Sequence, residues 1–258
     1  MIMKTENLSI TTQALTKHFG SVKAVSDLNL RVPVGARFAL LGPNGAGKTT
    51  TVRMLTGLMK PTRGSGSVCG YDIISQKDEI KAVTGLLPET PGLYSKLSAA
   101  EFLEFIGALN HLHGDVLHGR IDALLSILGL ESRRNDLLES YSSGMKQKVL
   151  IASTLLHEPR VVFLDEPTSR LDPSASVLVK DLILALAEET DTTFFICTHI
   201  TSFAEDVCDA VGILNEGELV AVGTPDAVIE AAHAQSLEEA YLKIVGGKID
   251  REALLAWR

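Results

Sequence analysis

Short apolar runs alternate along the chain with longer stretches in which apolar residues recur every three or four positions. The short runs predict buried strands, and four of them are RFALL at 37–41, RVVFLD at 160–165, TFFIC at 193–197 and AVGIL at 210–214. Helical patterns lie between them, among them residues 48–58 and 173–187. Because strands that alternate with helices are typical of a sheet with helical crossovers, the pattern predicts an α/β fold with a mainly parallel sheet.

Four regions depart from this alternation. Residues 98–158 show helical periodicity with almost no strand pattern, which predicts a helical subdomain inserted into the α/β layer. Residues 9–34 alternate in a β-rich pattern between polar turns and predict an antiparallel sheet at the edge. Residues 215–217 (NEG) separate two β-prone runs and predict a hairpin turn. After Thr224 the pattern is that of amphipathic helices.

Composition excludes several classes of protein. The net charge of -8 disfavours binding to nucleic acid, which needs a basic surface. No apolar run approaches the roughly 20 residues that cross a bilayer, and the N-terminus turns polar too early for a signal peptide. We therefore expect a chain that does not span a membrane. Cys69, Cys197 and Cys208 lack metal-site spacing and are expected to be free thiols in a reducing cytosol.

Residues 42–49 (GPNGAGKT) fit the phosphate-binding pattern G-x-x-x-x-G-K-[ST] and lie between a predicted strand and a predicted helix. Glycines let the backbone curl so that successive N–H groups face the phosphates, and the helix adds its positive dipole end. Lys48 is predicted to reach the β- and γ-phosphates, and the Thr49 hydroxyl to bind Mg²⁺. A glycine-rich turn that binds nothing would not need all four fixed positions of the pattern between a strand and a helix. The predicted nucleotide-binding residues here are Gly42, Pro43, Asn44, Gly45, Ala46, Gly47, Lys48, Thr49 and Thr50.

A second motif, VVFLDEP at 161–167, is an apolar strand that ends in two carboxylates. Asp165 is predicted to approach Mg²⁺ through water, as the aspartate at the end of such a strand does in P-loop proteins. Glu166 is placed to polarise the water that attacks a γ-phosphate. An Asp-Glu pair often simply ends a strand, but this pair comes after the phosphate loop on the next strong predicted strand.

With these motifs the chain resembles the nucleotide-binding subunit of ABC transporters, up to about Gly223. The resemblance implies a P-loop NTPase fold (RecA-like) with an N-terminal antiparallel β subdomain and an inserted α-helical subdomain. The nucleotide-binding domain is then expected at 1–223, with the helical subdomain at about 89–158, and a C-terminal helical extension at 224–258. The implied cofactors are ATP and Mg²⁺, and the implied activity is an Mg-dependent ATPase.

The family has a signature, typically LSGGQ, which opens a helix and contacts the γ-phosphate held by a partner subunit. Residues 141–145 (YSSGM) occupy that place, so the resemblance implies that Ser142, Ser143 and Gly144 contact nucleotide. Ser142 suits the N-cap of a helix whose dipole favours an anion. An ordinary N-cap explains the segment equally well in isolation, and its position upstream of VVFLDEP favours the signature.

Single residues extend the resemblance. Phe19 matches the aromatic residue that stacks on adenine, and His199 matches the switch histidine that contacts the γ-phosphate, so that Glu166, His199 and Lys48 are the implied catalytic residues. Glu89 lies where the family has its Q-loop glutamine and is the third expected metal ligand, beside Thr49 and Asp165. Residues 169–172 resemble the D-loop. Four residues depart from the family pattern, and they are Glu89 for glutamine, Ser143 for a signature glycine, Met145 for the signature glutamine and Arg170 for a D-loop glycine.

The combination of LPE with YSSGMKQKV resembles the ATPases of ABC-2 type exporters. This implies a separate integral membrane subunit as partner, and an ATP-dependent homodimer or a pair with a paralogous ATPase subunit. It also implies a cytoplasmic location, peripheral on the cytoplasmic face of the cell membrane. Residues 89–101 are expected to line the groove in which the membrane subunit docks, with Tyr94 as one contact. Packing of these residues onto the chain's own core is the alternative.

Other classes of protein compete with this interpretation. A non-transport ABC ATPase would carry two cassettes or a long coiled-coil insertion, and the chain has neither pattern. An importer ATPase would more often keep the glutamine and LSGGQ. A P-loop kinase or GTPase would leave YSSGM and His199 unexplained.

Overall fold

The computed structural model describes residues 7–90 and 92–246, so that the predicted extension at 224–258 falls partly outside the described residues. Eleven strands form two sheets in this part of the chain. They are β1 (Leu8–Phe19), β2 (Val22–Leu28), β3 (Arg31–Pro33), β4 (Arg37–Leu41), β5 (Arg63–Val68), β6 (Tyr71–Asp72), β7 (Thr84–Leu87), β8 (Val161–Asp165), β9 (Thr193–Thr198), β10 (Ala210–Asn215) and β11 (Glu218–Gly223).

The larger sheet has the strand order β11-β10-β4-β9-β8-β7, and all its pairs are parallel except the β10–β11 hairpin. The smaller sheet is antiparallel, with the order β2-β1-β5-β6 and with β3 paired to β1. The α-helices of the described residues are α1 (Lys48–Leu55), α2 (Lys77–Val83), α3 (Ala99–Leu109), α4 (Gly114–Ile127), α5 (Ser143–Leu155), α6 (Pro173–Glu189), α7 (Thr201–Val207), α8 (Pro225–Ala231) and α9 (Leu237–Val245).

The larger sheet separates two hydrophobic cores, because successive residues of a strand point to opposite faces. In β4, Phe38 and Leu40 pack with residues of α1 and the antiparallel sheet, whereas Ala39 and Leu41 pack with residues of α3 to α9. Each large side chain buried in this way contributes about 1.5–3 kcal/mol. Burial on both faces explains why the strands are continuous apolar runs, and it fixes the loops at the carboxyl ends of β4, β8 and β9.

The predicted fold class is confirmed: a mainly parallel sheet, an antiparallel sheet and helices between β7 and β8. The predicted turn at 215–217 joins β10 to β11. Strands β5, β6 and β7 were not predicted from the pattern, and β9 lies between β4 and β8 in the sheet. Within the described ranges, no helix is both long and apolar enough to cross a membrane.

Candidate functional site

The glycine-rich loop connects β4 to α1 at the carboxyl edge of the parallel sheet, where ligands of open α/β sheets bind. Gly47, the residue before α1, has a φ of 110°, and a Cβ there would lie 2.3 Å from the carbonyl oxygen of Ala24. Only glycine fits that position. Gly47 also has no side chain to cap the helix, so the N–H groups of the first turn of α1 remain available to a ligand.

A cavity of about 290 Å³ lies in front of this loop. Two further segments reach it, the loop after β7 and the carboxyl end of β8. The residues that line the cavity are Ala24, Pro43, Asn44, Gly45, Gly47, Lys48, Thr49, Thr50, Glu89, Asp165 and Glu166. The structure therefore places most of the predicted cradle and all three predicted metal ligands around one space.

Two residues of the predicted cradle lie outside the lining. Gly42 is packed against β10, and a Cβ at this position would lie 2.4 Å from the carbonyl oxygen of Leu214. Ala46 is buried; its N–H donates to the carbonyl oxygen of Pro43 at 3.1 Å, and its own carbonyl accepts from the N–H of Gly217 at 3.0 Å. Both residues shape the loop from beneath.

The Lys48 side chain is held at the loop by two carbonyl oxygens. Its Nζ donates to Gly42 O at 2.6 Å and to Pro43 O at 3.2 Å, and the residue is only 6% exposed. An ammonium group has three donors. Because two of them are used by the loop, one remains for an anion in the cavity.

Thr49 and Asp165 bring two hard oxygen ligands together. The Thr49 hydroxyl donates to Asp165 Oδ2 at 2.7 Å. Burial, the largest cause, raises the pKa of Asp165; the Thr49 hydrogen bond opposes this, and the charges of Glu89 and Glu166 add to it. No cluster of three His, Cys, Asp or Glu side chains that could hold a metal occurs among the described residues. The set fits Mg²⁺, which typically takes one or two protein oxygens and completes its shell with water and substrate phosphates.

Glu166 is held in an unusual conformation beside the cavity. Its φ is 53°, a left-handed value that costs a non-glycine residue free energy, and its N–H donates to Cys197 O at 2.8 Å. The buried carboxylate binds two neighbours: Oε1 lies 2.8 Å from His199 Nδ1, and Oε2 accepts from the Thr198 hydroxyl at 3.2 Å. The predicted base and the predicted switch histidine are therefore in direct contact, with more than half of the His199 side chain exposed.

Two residues of this site were not predicted. Ala24 on β2 lines the cavity through a contact that only the packing of β2 on the loop creates. Thr198 is buried, and its hydroxyl binds both Glu166 Oε2 and the N–H of Ile200 at 3.1 Å. The sequence position of Thr198, directly before His199, could have led to its prediction as a site residue, because a hydroxyl at that strand end is within reach of the β8 carboxylates.

The signature segment lies apart from the cavity lining. Ser142 is the N-cap of α5, and its hydroxyl accepts from the N–H of Met145 at 3.2 Å. Ser142 and Ser143 are exposed, and Gly144 is half-buried. A Cβ on Gly144 would lie 3.4 Å from the carbonyl oxygen of Arg170, so the signature segment contacts the D-loop region of its own chain. The first turn of α5 is thus presented at the surface.

Of three further predicted residues, only Glu89 lines the cavity. Phe19 ends β1 with its side chain 48% exposed, and Lys17 Nζ lies 5.2 Å from the ring centroid. Glu89 is exposed and lines the cavity, and its carbonyl oxygen accepts from Arg170 Nη2 at 3.0 Å. Asp172 caps α6 by accepting from the N–H of Ala175 at 2.9 Å, and the hydrogen bond from the Ser174 hydroxyl together with this one lowers the pKa of Asp172.

The sequence profile described as ABC transporter matches residues 25–169. The bacitracin transport ATP-binding protein BcrA of Bacillus licheniformis is 43% identical over 211 residues, which cover 82% of this chain and 68% of that protein. The ABC transporter ATP-binding protein NatA of Bacillus subtilis is 35% identical over 229 residues, or 88% of this chain and 92% of that protein. A solved ATP-binding subunit of an ABC transporter superposes with a TM-score of 0.85 at 32% identity, covering 92% of this chain and 99% of that chain.

Proposed function

The chain belongs to the ABC transporter family and is an ATP-binding subunit of that family, and from this premise we propose that it hydrolyses ATP with Mg²⁺ to drive export through a separate membrane protein. One observation carries the proposal. The Lys48 ammonium, the Thr49–Asp165 oxygen pair and the Glu166 carboxylate line one cavity, and His199 contacts that carboxylate. A phosphate chain in that cavity meets a cation, a metal-binding pair and a base.

Each residue of the site has a distinct role in this proposal. Lys48 and the N–H groups at the start of α1 bind the β- and γ-phosphates. Glu166 accepts a proton from the attacking water while the water oxygen bonds to the γ-phosphorus and the bond to the ADP oxygen breaks. His199 and Thr198 hold the two oxygens of Glu166, so that the carboxylate keeps one orientation. Phe19 offers an exposed ring on which adenine stacks.

Thr49 and Asp165 would hold Mg²⁺, with Glu89 as an outer ligand. The ion, when bound, supplies positive charge to the phosphate oxygens during transfer. The chain's own contribution is the hydroxyl–carboxylate pair at 2.7 Å, which already has the oxygen chemistry that the ion prefers.

A second copy of the chain, or a paralogous subunit, is proposed to complete the site. The segment from Ser142 to Gly144, with both serines exposed, lies outside the lining of the cavity of its own chain. Its helix start favours an anion, and ATP in the cavity of another subunit supplies one. The nucleotide-binding unit would comprise residues 1–223, with 89–158 as the inserted helical subdomain and 224–258 as an extension.

The membrane partner is proposed to dock on residues 89–101. In this segment Leu93 and Leu97 pack against the core of α3 to α9, whereas Tyr94 is 59% exposed and contacts the edge of Phe105, with ring centroids 5.4 Å apart. An exposed aromatic pair is a suitable contact for an apolar helix. The names of the bacitracin transport ATP-binding protein and of NatA support a role in transport, and the proposed location of this chain is the cytoplasmic face of the membrane that holds its partner.

The proposal is tested with the purified full chain and with the chain co-expressed with candidate membrane subunits from its own genome. Phosphate release from ATP should require Mg²⁺ and stop with EDTA, and the membrane protein should copurify in detergent.

Tyr94→Ala should weaken copurification without changing ATP affinity or thermal stability, and Leu109→Ala, at an equally exposed apolar residue on α3, serves as the control. Hydrolysis that is unaffected by EDTA, or a chain that binds no ATP, contradicts the proposed activity. Unfolding by Tyr94→Ala would instead assign this residue to the core.

A further inference from the structure

Two of the departures from the family pattern meet in space. Arg170, in the loop between β8 and α6, lies 81 positions from Glu89 in the loop after β7. The guanidinium Nη2 of Arg170 nevertheless donates to the carbonyl oxygen of Glu89 at 3.0 Å. The family has an uncharged glutamine at the first place and a glycine, without a side chain, at the second. A chain with the family pattern therefore has neither the carboxylate charge at position 89 nor a side chain at position 170 that could contact the residue at 89.

The charge at position 89 changes the electrostatics of the cavity. Glu89, Asp165 and Glu166 line it together with Lys48, so three carboxylates oppose one ammonium. Until Mg²⁺ is bound, an ATP molecule, itself an anion, therefore meets an additional negative charge in the cavity.

Arg170 adds a positive charge next to the backbone of Glu89. Its side chain is exposed, and within residues 7–90 and 92–246 it forms no ion pair shorter than 4.0 Å. The guanidinium charge is thus not matched by a neighbouring carboxylate, and it lies against the backbone of the residue that carries the extra negative charge. An arginine remains protonated at any physiological pH.

We propose that Arg170 is a positioning residue for nucleotide binding that acts through Glu89. It offsets the charge of Glu89 in the cavity and holds the backbone of that loop by the bond to its carbonyl oxygen. The two departures are therefore a compensating pair, and the arginine is required because position 89 is acidic. The inference rests on the proposed function, because it assumes that the ligand of the cavity is the ATP phosphate chain.

The charge and the backbone contact can be separated by experiment. A glutamine at position 89 removes the carboxylate but keeps the carbonyl oxygen that Arg170 binds. If Arg170 acts through charge, its loss has less effect when position 89 is neutral. If Arg170 is only a brace for the loop, its loss has the same effect with glutamate and with glutamine.

The test is a double-mutant cycle of ATP affinity, measured by calorimetry on the full chain. Arg170→Gly should weaken ATP binding about threefold to tenfold with Glu89 present, and less than about twofold in the Glu89→Gln background, because the two charges are partly exposed and interact without a direct ion pair. Arg170→Lys should retain most of the affinity, and Arg170→Met should behave like Arg170→Gly. Raising ionic strength from about 0.05 to 0.5 M should reduce the effect of Arg170→Gly, because salt screens exposed charges.

Each outcome is decisive. Equal losses in the two backgrounds, or a loss that does not depend on salt, overturn the compensating pair while leaving the ATPase function intact. A wild-type chain that does not bind ATP contradicts the proposed function itself. Thermal melts of all variants identify loss of folding, and Arg170→Lys, which keeps the charge and most of the side-chain volume, keeps the comparison valid if the glycine variant is unstable.

Discussion

The two helix starts of the candidate site, those of α1 and α5, differ in how their first N–H groups are satisfied. Gly47 precedes α1 with a left-handed backbone and no side-chain cap. Ser142 precedes α5 in an extended conformation, and its hydroxyl already accepts from the N–H of Met145. The first helix begins beneath a cavity, and the second begins at the exposed surface of the same chain.

The two helix starts also differ in how many of the groups needed to bind phosphate a single subunit supplies. At α1 the cation, the carboxylates and the free donors are assembled in one subunit, so the helix start is ready for phosphate before any partner arrives. At α5 the chain contributes a capped helix with two exposed serines and a glycine, and none of these three residues carries a charge that could bind an anion. We infer that α1 determines nucleotide affinity, whereas α5 determines ATP-dependent assembly with a second subunit and the hydrolysis that assembly permits.

The largest expected effect is on hydrolysis. Glu166→Gln should lower phosphate release by roughly 10²–10⁴, the scale of a lost general base, and leave ATP affinity near the wild-type value. The variant should accumulate as an ATP-bound dimer in light scattering, because α5 remains able to engage nucleotide. Turnover at the wild-type rate would place the base elsewhere, and an unchanged mass with ATP would count against assembly through α5.

A smaller effect is expected on the affinity for ATP when Lys48, at the start of α1, is replaced. Lys48→Ala removes the ammonium that Gly42 O and Pro43 O hold at the cavity. A charge-assisted contact of this kind contributes about 1.5–3 kcal/mol, which corresponds to a loss of roughly 10- to 150-fold in ATP affinity by calorimetry. Lys81→Ala, an exposed lysine on α2 paired only with Asp78 in the described residues, is the control. Equal affinity of the Lys48 variant and the control would remove Lys48 from the cradle.

A change at the start of α5 should lower hydrolysis and dimerisation without lowering the ATP affinity of the monomer. Gly144→Asp places a carboxylate where the partner's γ-phosphate is proposed to lie, and a Cβ there meets Arg170 O at a tolerable 3.4 Å. Hydrolysis and ATP-dependent dimerisation should fall about tenfold or more through like-charge repulsion, while ATP affinity of the monomer stays the same. Gly119→Asp, at an open position of α4, adds the same charge elsewhere as the control. Weakened ATP binding by the monomer would contradict the division between α1 and α5.

The main elements of the fold could be predicted because they bury both faces. Strands β4, β8, β9 and β10 are continuous apolar runs, and their observed bounds differ from the predicted ones by at most one residue. Strand β5 could not be predicted in this way, since RGSGSV is made mostly of glycine and serine and gains its structure from pairing with β1. Strand β7 is only four residues long and includes Gly85, where a Cβ would lie 2.2 Å from Thr154 O, a constraint visible only after α5 has packed.

In the candidate site, too, only the features that a local pattern encodes could be predicted. The cradle and the β8 carboxylates could be predicted, because contiguous motifs encode them next to a strong strand. The Thr198 hydroxyl on Glu166, the Ala24 contact and the Arg170–Glu89 bond join residues distant in sequence, and no local pattern encodes such pairs. Gly42 and Ala46 match the motif yet shape the loop from beneath, because a motif fixes the curvature of a backbone as well as the contacts of its residues.

The smallest expected effect tests the cap that distinguishes the two helix starts. Ser142→Ala removes the hydroxyl that accepts from Met145 N–H at 3.2 Å, and loss of an N-cap costs about 0.5–2 kcal/mol of stability. For a chain of this size a cost of about 1 kcal/mol lowers the melting temperature by roughly 2–4 °C. Ser143→Ala, one position inside the helix, has no cap to lose and should melt near the wild type.

The functional effect of the same change shows what the cap does for α5. Removing the hydroxyl leaves the Met145 N–H without its acceptor, so that the start of α5 becomes chemically more like that of α1. We expect the Ser142 hydroxyl to serve mainly as the acceptor for the Met145 N–H in the free subunit. Ser142→Ala should then be less stable than the wild type without nucleotide. As an ATP-bound dimer it should recover part of that lost stability, because a phosphate oxygen replaces the hydroxyl as the acceptor. Equal destabilisation with and without ATP in the Glu166→Gln background would show that the N–H does not face nucleotide. In that case α5 would meet its partner through side chains rather than through its helix start.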